Sequence, residues 1–453
     1  MQALWMRVFP PTHTWLLLLM TLFTASTAFL VYRSVAKCST ETLGALAGLV
    51  LMALPLTQRY SSEVMAEAPL ALFSFVAMLA MVRVLDRPTW RAAIWFGLAA
   101  SLAILTKSSA WVLGITPLVA VVLIRRWKII TNARWLVSGG MVLALCVPFY
   151  VWTRQMAFAG AEGRAVTLAR TGGGLWHLIG LLPEILGVAL LLLAGLGLCI
   201  KVMLPLRRAA VEPYWAAMAA YSATVFVFHA AAPTTAEPRK IFMALPALVL
   251  FSFAGLAWLE QKWRWTGRLG ALGVLAFLTV QTFYAHPAHC DAFGDPVWAL
   301  RSHAELDQAV ALVSASHPGG EGAFIAEVAQ REPRPLRILL RATKLLASST
   351  WNVLDYKLRY KTPDEVMAAL ESIPVRVIVL DSRPGGAYPH HELLVRALRQ
   401  YAADWELIYS GVGCAESLEI YVLKKNVEGA PGRIQIDLRD KINRVLDYQV
   451  PMH

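Results

Sequence analysis

Two carboxylates four residues apart, Glu63 and Glu67, stand between long apolar runs in RYSSEVMAEAPLALF, residues 59–73. Lys107, in LAILTKSSAW, and Glu237, Arg239 and Lys240, in AEPRKIF, also stand where apolar runs meet polar residues. A carboxylate so placed can take a proton from a hydroxyl, and Lys and Arg can hold an anionic head group, Arg through bidentate contacts to phosphate. Singly, each reads as an anchor at a helix end, its charged tip reaching for water. Together, two acids and several bases on one side suit a site that handles an anionic head group and activates a hydroxyl.

The elements that would position them are membrane spans. Of the 453 residues 57% are hydrophobic and 16% charged, with a mean hydropathy of +0.53, too apolar for a soluble globular chain. Spanning the hydrocarbon core takes about 20 mostly apolar residues. Ten runs qualify, near 14–32, 42–57, 66–82, 92–106, 109–124, 135–153, 181–200, 213–231, 241–259 and 269–285. Only Thr106, Lys107 and Ser108 separate the fourth from the fifth, which predicts a tight helical hairpin with a polar tip.

Formal net charge is +12. No basic stripe with interleaved aromatics accompanies it, so nucleic acid is not an expected partner; cations gathered in cytoplasmic loops account for the excess. Arg33 and Lys37, then Arg83, Arg87 and Arg91, then Arg125, Arg126, Lys128 and Arg134, then Lys201, Arg207 and Arg208, then Lys262, Arg264 and Arg268 fall in alternate loops. That alternation puts the loops of Glu63 and Glu67, of Lys107, of 154–180 and of 232–240 outside, with everything after about residue 286. The 154–180 loop carries Arg154, Arg164 and Arg170, but long loops weigh less in this rule.

From residue 286 the pattern becomes that of a small α/β domain, 286–426, on the extracytoplasmic side, followed by a basic tail, 427–453, that contains RIQIDLRDKINR. Strands are expected at GAFIAEV, VRVIVLD, WELIYSG and LEIYVLK, and helices at HAELDQAVALVSA, TPDEVMAALES and HELLVRALRQYAADW. Thr362 before Pro363 and Asp364 marks a helix start. Cys38, Cys146 and Cys199 read as buried thiols of the spans; Cys290 and Cys414 are the pair a disulfide would join outside. His390 and His391, in YPHHE, read as solvated loop and helix cap. HPAHC at 286–290 reads as a domain junction, and no Walker loop or metal-ligand spacing such as CxxC or HExxH is present. No cofactor is called for, and need for a divalent metal is left open.

The order FPPTHTWLLLLMTLF, ALPLTQRYSSEVMAEAPLALFSFVAMLAMVR, GLAASLAILTKSSAWVLGITPLVAVVL, EPRKIFMALPALVLFSFAGLAW, over most of residues 9–260, resembles the bacterial branch of the GT-C glycosyltransferases, similar to protein O-mannosyltransferases and the aminoarabinose transferase of lipid A. The resemblance implies a polytopic helical membrane domain, residues 1–285, of about ten spans in the bacterial inner membrane. It implies an enzyme that moves a sugar from a polyprenyl-phosphate donor to a lipid, glycan or protein acceptor outside the cytoplasm. Carried onto this sequence, it makes Arg239, with Lys107 or Lys240 beside it, the holder of the carrier phosphate and Glu67 the acid that orients Lys107 or an acceptor hydroxyl. From the residues themselves, a helix starting over 61–68 would put Glu63 and Glu67 on one face, two like charges that call for a nearby cation, with Glu63 the solvated acid of the site and Glu67 one turn deeper against Lys107. In the family the general base is an acid of the first outer loop, ahead of the segment matched by Pro10 and Pro11. The expectation is therefore that Met1 is an internal start and Glu67 supports a base encoded upstream; the alternatives are a degenerate paralogue, or Glu67 as the base itself. The reading from another class is a non-catalytic membrane protein that binds or translocates a polyprenyl-linked sugar. Charges at span ends rather than mid-span favour the transferase.

A reporter active only outside the cytoplasm should work when fused after Asp291 and be silent after Arg126. The reverse signals would invert the sidedness of every residue named above.

Overall fold

The computed structural model describes residues 2–10, 12–153, 167–232, 237–263, 265, 269–270, 272–274, 276–277, 279–280, 293–307, 309–317, 319–331, 337–348, 356–382, 388–411, 417–424, 433–437 and 445–449. Cys290, Cys414, HPAHC and about half of the run 269–285 lie outside these. The contacts fall into two units, one drawn almost wholly from residues up to 287 and one from 288 onward.

The first unit is helical and its chain is that of a multi-pass membrane protein. A short α1 (Gln2–Val8) precedes α2 (His13–Cys38), α3 (Glu41–Ala53), α4 (Pro55–Ser61), α5 (Glu67–Asp86), α6 (Trp90–Thr106), α7 (Val112–Ile124) and α8 (Ala133–Trp152). Then come α9 (Leu168–Gly180), α10 (Leu182–Leu186), α11 (Val188–Arg208), α12 (Pro213–Ala231) and α13 (Leu245–Lys262). Among the described residues five helices are long and apolar enough to cross a membrane, or six if the bent pair α3 and α4 is one span. The expected run 42–57 is thus not one rod: α3 and α4 meet at 64°, where Pro55 lacks the N–H that would continue α3 and opens α4 instead. Thr40, Thr89, Asn132 and Thr167 cap α3, α6, α8 and α9 through their side-chain oxygens.

The expected hairpin of the fourth and fifth runs is also replaced. Lys107 is extended and Ser108–Trp111 form a 3-10 turn, so α6 packs on α5 and α8 while α7 packs on α12. Hydroxyls tie the layers: Ser138 donates to the Ala93 carbonyl (2.9 Å), Tyr150 to Ile104 (2.9 Å) and Ser252 to Leu190 (2.9 Å), and Thr116 bonds Thr224 (2.7 Å). The basic loops gather at one end, where Arg126 reaches the Leu85 carbonyl, Arg134 that of Pro88 and Arg125 that of Leu206. Of the three thiols expected to be buried, Cys146 is; Cys38, at the end of α2, and Cys199, in a π-helical turn of α11, are exposed.

The second unit contains α14 (Gly294–Arg301), β1 (Val310–Ala315), α15 (Gly320–Arg331), β2 (Ile338–Arg341), α16 (Ala342–Leu345), β3 (Ala347–Ser348), β4 (Lys357–Leu358), α17 (Pro363–Ser372), β5 (Val375–Ser382), α18 (Pro389–Gln400), β6 (Trp405–Gly411), β7 (Ser417–Leu423), β8 (Arg433–Asp437) and β9 (Val445–Gln449). Its main sheet runs β2-β1-β5-β7-β6, with β1 parallel to β2 and β5, and β7 antiparallel to β5 and β6. Alternation along the strands feeds two cores: Leu312, Ile378 and Leu380 pack with α17 and α18, and Val313, Val377 and Val379 with α14 and α15.

Two expectations exchange places here. AVALVSA forms the central strand β1, buried at every position, and such a run lacks the alternation that separates strand from helix. GAFIAEV is helical, because Phe324 and Val328, four apart, make the buried face of α15. RIQIDLRDKINR, expected as part of a basic tail, supplies β8, paired antiparallel with β9.

The tightest packing is between α11 and α13. A Cβ on Gly197 would stand 1.9 Å from the Phe251 carbonyl oxygen, so only glycine lets the backbones approach. Gly197→Ala should cost about 1–3 kcal/mol of stability in a detergent melt. Gly195→Ala, where a Cβ meets nothing within 4 Å, should be neutral or stabilising; equal losses would refute the packing argument.

Candidate functional site

Glu67 is the first residue of α5, and its carboxylate is closed off from solvent, 2% exposed, among apolar side chains. A charge sealed in this way needs a partner. Lys107, reaching from the end of α6, places Nζ 2.5 Å from Glu67 Oε1. Its side chain is 34% exposed, so the pair is asymmetric, with the acid inside and the ammonium at the surface. An ammonium carries three N–H donors, and this bond uses one.

Glu63 does not share a helical face with Glu67. Residues 62–66 are non-helical between α4 and α5, and Glu63 pairs instead with Arg59, Nε to Oε1 3.4 Å, both at the surface. An exposed pair at this spacing contributes under about 1 kcal/mol.

The last helix brings the remaining cations. Pro238–Lys240 and Phe242–Ala244 form two 3-10 turns ahead of α13, and Arg239 pairs with Glu237. The Phe242 ring meets Tyr60 of α4 edge to face at 5.6 Å, and the Tyr221 hydroxyl of α12 donates to the Met243 carbonyl at 2.8 Å. These contacts hold the Arg239 turn over the same end of the bundle as Glu67. Tyr60 lies within electrostatic range of Glu67 and Arg239 together.

A residue that sequence reasoning passed over completes this end. His229, in the last turn of α12, is 6% exposed and within electrostatic range of both Lys240 and Lys107. Its Nε2 has no hydrogen-bond partner. The available signal was a titratable side chain in FVFHAAAP, one helical turn from the end of an apolar run that leads into the loop of Arg239. Glu67, Lys107, Lys240 and His229 thus converge from α5, the α6 end, the turn before α13 and α12.

Two cavities adjoin. A small one beside Glu67 is lined by Thr24, Thr27, Thr57, Ala68, Phe242 and Leu245, and the buried Thr57 hydroxyl has no partner. A larger apolar groove, about 280 Å³, lies among α6, α7 and α8, from Ile104 and Trp111 near Lys107 to Phe96 and Trp135.

In the second unit His390 and His391 are buried, not solvated as expected, because α18 drives its first turn into the sheet edge. His391 bonds Ser314 through Nδ1 (2.9 Å) and Ser382 through Nε2 (3.0 Å), while His390 Nδ1 bonds the Tyr356 hydroxyl (2.8 Å). Burial and then the neighbouring His390 push the His391 imidazole down to about 4. Burial works to raise the Glu321 carboxyl, but His390, Thr343 and Arg341 outweigh it and leave it below the ordinary range. Arg341 Nε donates at 2.9 Å and the Thr343 hydroxyl at 2.6 Å. Hydroxyls occupy both nitrogens of His391, an arrangement that clamps the ends of β1 and β5 together.

Residues 1–152, from α1 to the end of α8, match the family model described as dolichyl-phosphate-mannose-protein mannosyltransferase. No curated protein matches the chain. Among solved structures, ArnT from Cupriavidus metallidurans bound to undecaprenyl phosphate superposes with a TM-score of 0.60 over 92% of this chain and 86% of its own, at 13% identity. The same protein in the apo state gives 0.54, over 89% and 82%, also at 13%. The chain has the GT-C fold. Of the site residues, Glu67 and Lys107 lie within the matched stretch and Arg239, Lys240 and His229 beyond it.

The second unit should be acid-sensitive. The folded value of His391, about 4, lies below the ordinary 6.5, so between them the unfolded chain binds the extra proton. Its contribution is full above pH 6.5 and is lost as pH falls towards 4, about 2–3 kcal/mol by pH 4.5. Unfolding of this unit followed from pH 7 to 4.5 should show that slope in the native protein and lose most of it in His391→Gln. The same slope in both would assign the effect elsewhere.

Proposed function

We propose that this protein is a membrane glycosyltransferase that takes a sugar from a polyprenyl-phosphate carrier and transfers it to a lipid, glycan or protein acceptor at the end of the bundle where Glu67 and Lys107 meet. The observation that carries this reading is the Glu67–Lys107 pair, a sealed carboxylate presenting an ammonium at the surface, set beside Arg239 and Lys240 in a GT-C fold. A dry, cationic pocket rewards an anionic leaving group, because opposite charges interact more strongly where water is thin. As the glycosidic C–O bond breaks, negative charge grows on the carrier phosphate, and Lys107, Lys240 and Arg239 stabilise it. That ArnT, with the same fold, has been solved with undecaprenyl phosphate bound supports this choice of carrier.

Glu67 acts through Lys107. Held 2.5 Å from the ammonium, its carboxylate fixes the direction of Nζ. Glu63, paired with Arg59 at the surface, is a rim residue that meets the acceptor or the sugar. The apolar groove among α6, α7 and α8 starts beside Lys107 and would take the isoprenoid chain, whose phosphate then falls at the cationic end. That end lies outside the cytoplasm, in the bacterial inner membrane, with the second unit on the same side, since the opposite end carries most of the loop Arg and Lys.

The test is binding of undecaprenyl phosphate against undecaprenol by protein in detergent, with label transfer from a polyprenyl-phosphate sugar as the second readout. The native protein should prefer the phosphate. Arg239→Ala should weaken phosphate-lipid binding about 10-fold or more, the loss of one charge-assisted hydrogen bond, and Lys240→Ala less. Glu67→Gln should lower transfer and carrier affinity together; a fall in transfer alone would make Glu67 the base. Binding without any transfer would favour the non-catalytic reading, and equal affinity for the two lipids would end the proposal.

A further inference from the structure

Lys201 interrupts an apolar stretch of α11, LLLLAGLGLCIKVML, and stands about 9 Å along the helix from Arg207, where the span turns polar. A lysine at this depth usually stretches its tip out to the interface. Here it turns inward. Cys199–Met203 form a π-helical turn, a rare bulge that tends to fall at functional positions, and the Lys201 ammonium lies 5.5 Å from the ring centre of Trp215 on α12. Trp215 is buried, so this contact aims the charge between helices. Beside it, among α2, α11, α12 and α13, is a cavity of about 40 Å³ lined in part by Ser34, Cys38, Lys201, Trp215, Trp258 and Gln261. That volume has room for about three waters or one tetrahedral oxyanion. No carboxylate lines the cavity, and among the described residues none forms an ion pair with Lys201; Glu212, ahead of α12, is exposed and is not part of the lining. The α13 side of the cavity is apolar, through Phe253, Ala254 and Ala257, so hydrocarbon and charge meet in one place.

We propose that this cavity binds the headgroup phosphate of an anionic membrane phospholipid, with Lys201 on the phosphate and the exposed Gln261 amide beside it. A cation between spans, at headgroup depth and flanked by tryptophans, has the chemistry of such a site. A free phosphate ion would use the charge but leave the apolar wall without a role, whereas a diacyl lipid uses both. A zwitterionic headgroup would bring its own ammonium against Lys201, so the site selects for net negative charge. The lipid sits in the leaflet that meets the end of the bundle opposite Glu67, where it fastens α2 to α11 and α13. It takes no part in transfer, and the assignment stands apart from the carrier reading.

The experiment titrates the protein in detergent with dioleoyl phosphatidylglycerol, dioleoyl phosphatidylcholine, inorganic phosphate and undecaprenyl phosphate. It reads the melting temperature and the rate at which a maleimide labels Cys38 relative to Cys199. Both thiols are exposed, but only Cys38 lines the cavity, so Cys199 is the internal control. Phosphatidylglycerol should raise the melting temperature and slow labelling of Cys38 while sparing Cys199, and phosphatidylcholine should do neither. Lys201→Gln should weaken phosphatidylglycerol about 10-fold or more, the loss of a charge-assisted hydrogen bond, and Lys201→Arg should restore most of it. Ala257→Leu, which keeps the charge and narrows the cavity, should lose the protection of Cys38 as well. Lys262→Gln, which removes a cation of the same end held over Trp258 and Trp263, should keep both responses. Equal losses in Lys201→Gln and Lys262→Gln, or equal protection by phosphatidylcholine, would reduce the effect to diffuse charge or lipid coating and overturn the assignment. Protection by inorganic phosphate as strong as by the lipid would overturn the lipid class. Protection by undecaprenyl phosphate in preference to phosphatidylglycerol would seat the carrier here and overturn both this assignment and the location of the transfer site.

Discussion

A carboxylate sealed among apolar side chains is tolerable only with a cation against it, and the contact between Glu67 and Lys107 is the constraint on which the site depends. The two residues are forty apart in the chain and belong to different helices, so the pair fixes where α6 must end relative to where α5 begins. Lys107 can reach because α6 stops at Thr106 and the chain turns extended before the next helical turn. A helix continued through Lys107 would carry the ammonium round the helix axis and leave Glu67 unpaired. The break between α6 and α7 is thereby a requirement of the site as much as a consequence of local sequence.

The other end of the bundle has the opposite character. Its arginines are satisfied by backbone carbonyls at helix ends, Leu85, Pro88 and Leu206, so their charges cap the bundle and leave little field pointed at a ligand. At the Glu67 end four cations, Arg59, Lys107, Arg239 and Lys240, stand with three acids among the described residues, Glu63 pairing with Arg59, Glu67 with Lys107 and Glu237 with Arg239. A net positive, partly dry end of a helical bundle is a physical description of an anion site, whichever sugar the anion carries.

Much of the membrane unit was legible because the bilayer imposes length and apolarity directly on sequence, and because charge is confined to span ends. The pairing of Glu67 with Lys107 could be anticipated from the cost of two neighbouring acids without a cation, but the helix expected to join Glu63 to Glu67 is not there: α4 ends at Ser61 and α5 begins only at Glu67. His229 was hidden by its surroundings: one imidazole in an alanine-rich helix end has no spacing to betray it, and only the unpaired nitrogen in three dimensions does. In the second unit, WELIYSG, LEIYVLK and VRVIVLD carried enough β-branched and aromatic residues to be read as strands. AVALVSA, the central parallel strand, was read as helix because a strand covered on both faces is apolar throughout. His390 and His391 looked like surface residues because the hydroxyls of Ser314, Ser382 and Tyr356 that make their burial tolerable come from elsewhere in the chain.

The most direct test is a density map of the protein with undecaprenyl phosphate. The account predicts the phosphate within hydrogen-bond distance of Lys107, with Lys240 and Arg239 around it and the isoprenoid chain entering between α6, α7 and α8. A phosphate seated instead at the opposite end, in the pocket of Ser34, Lys201 and Trp215, would contradict it.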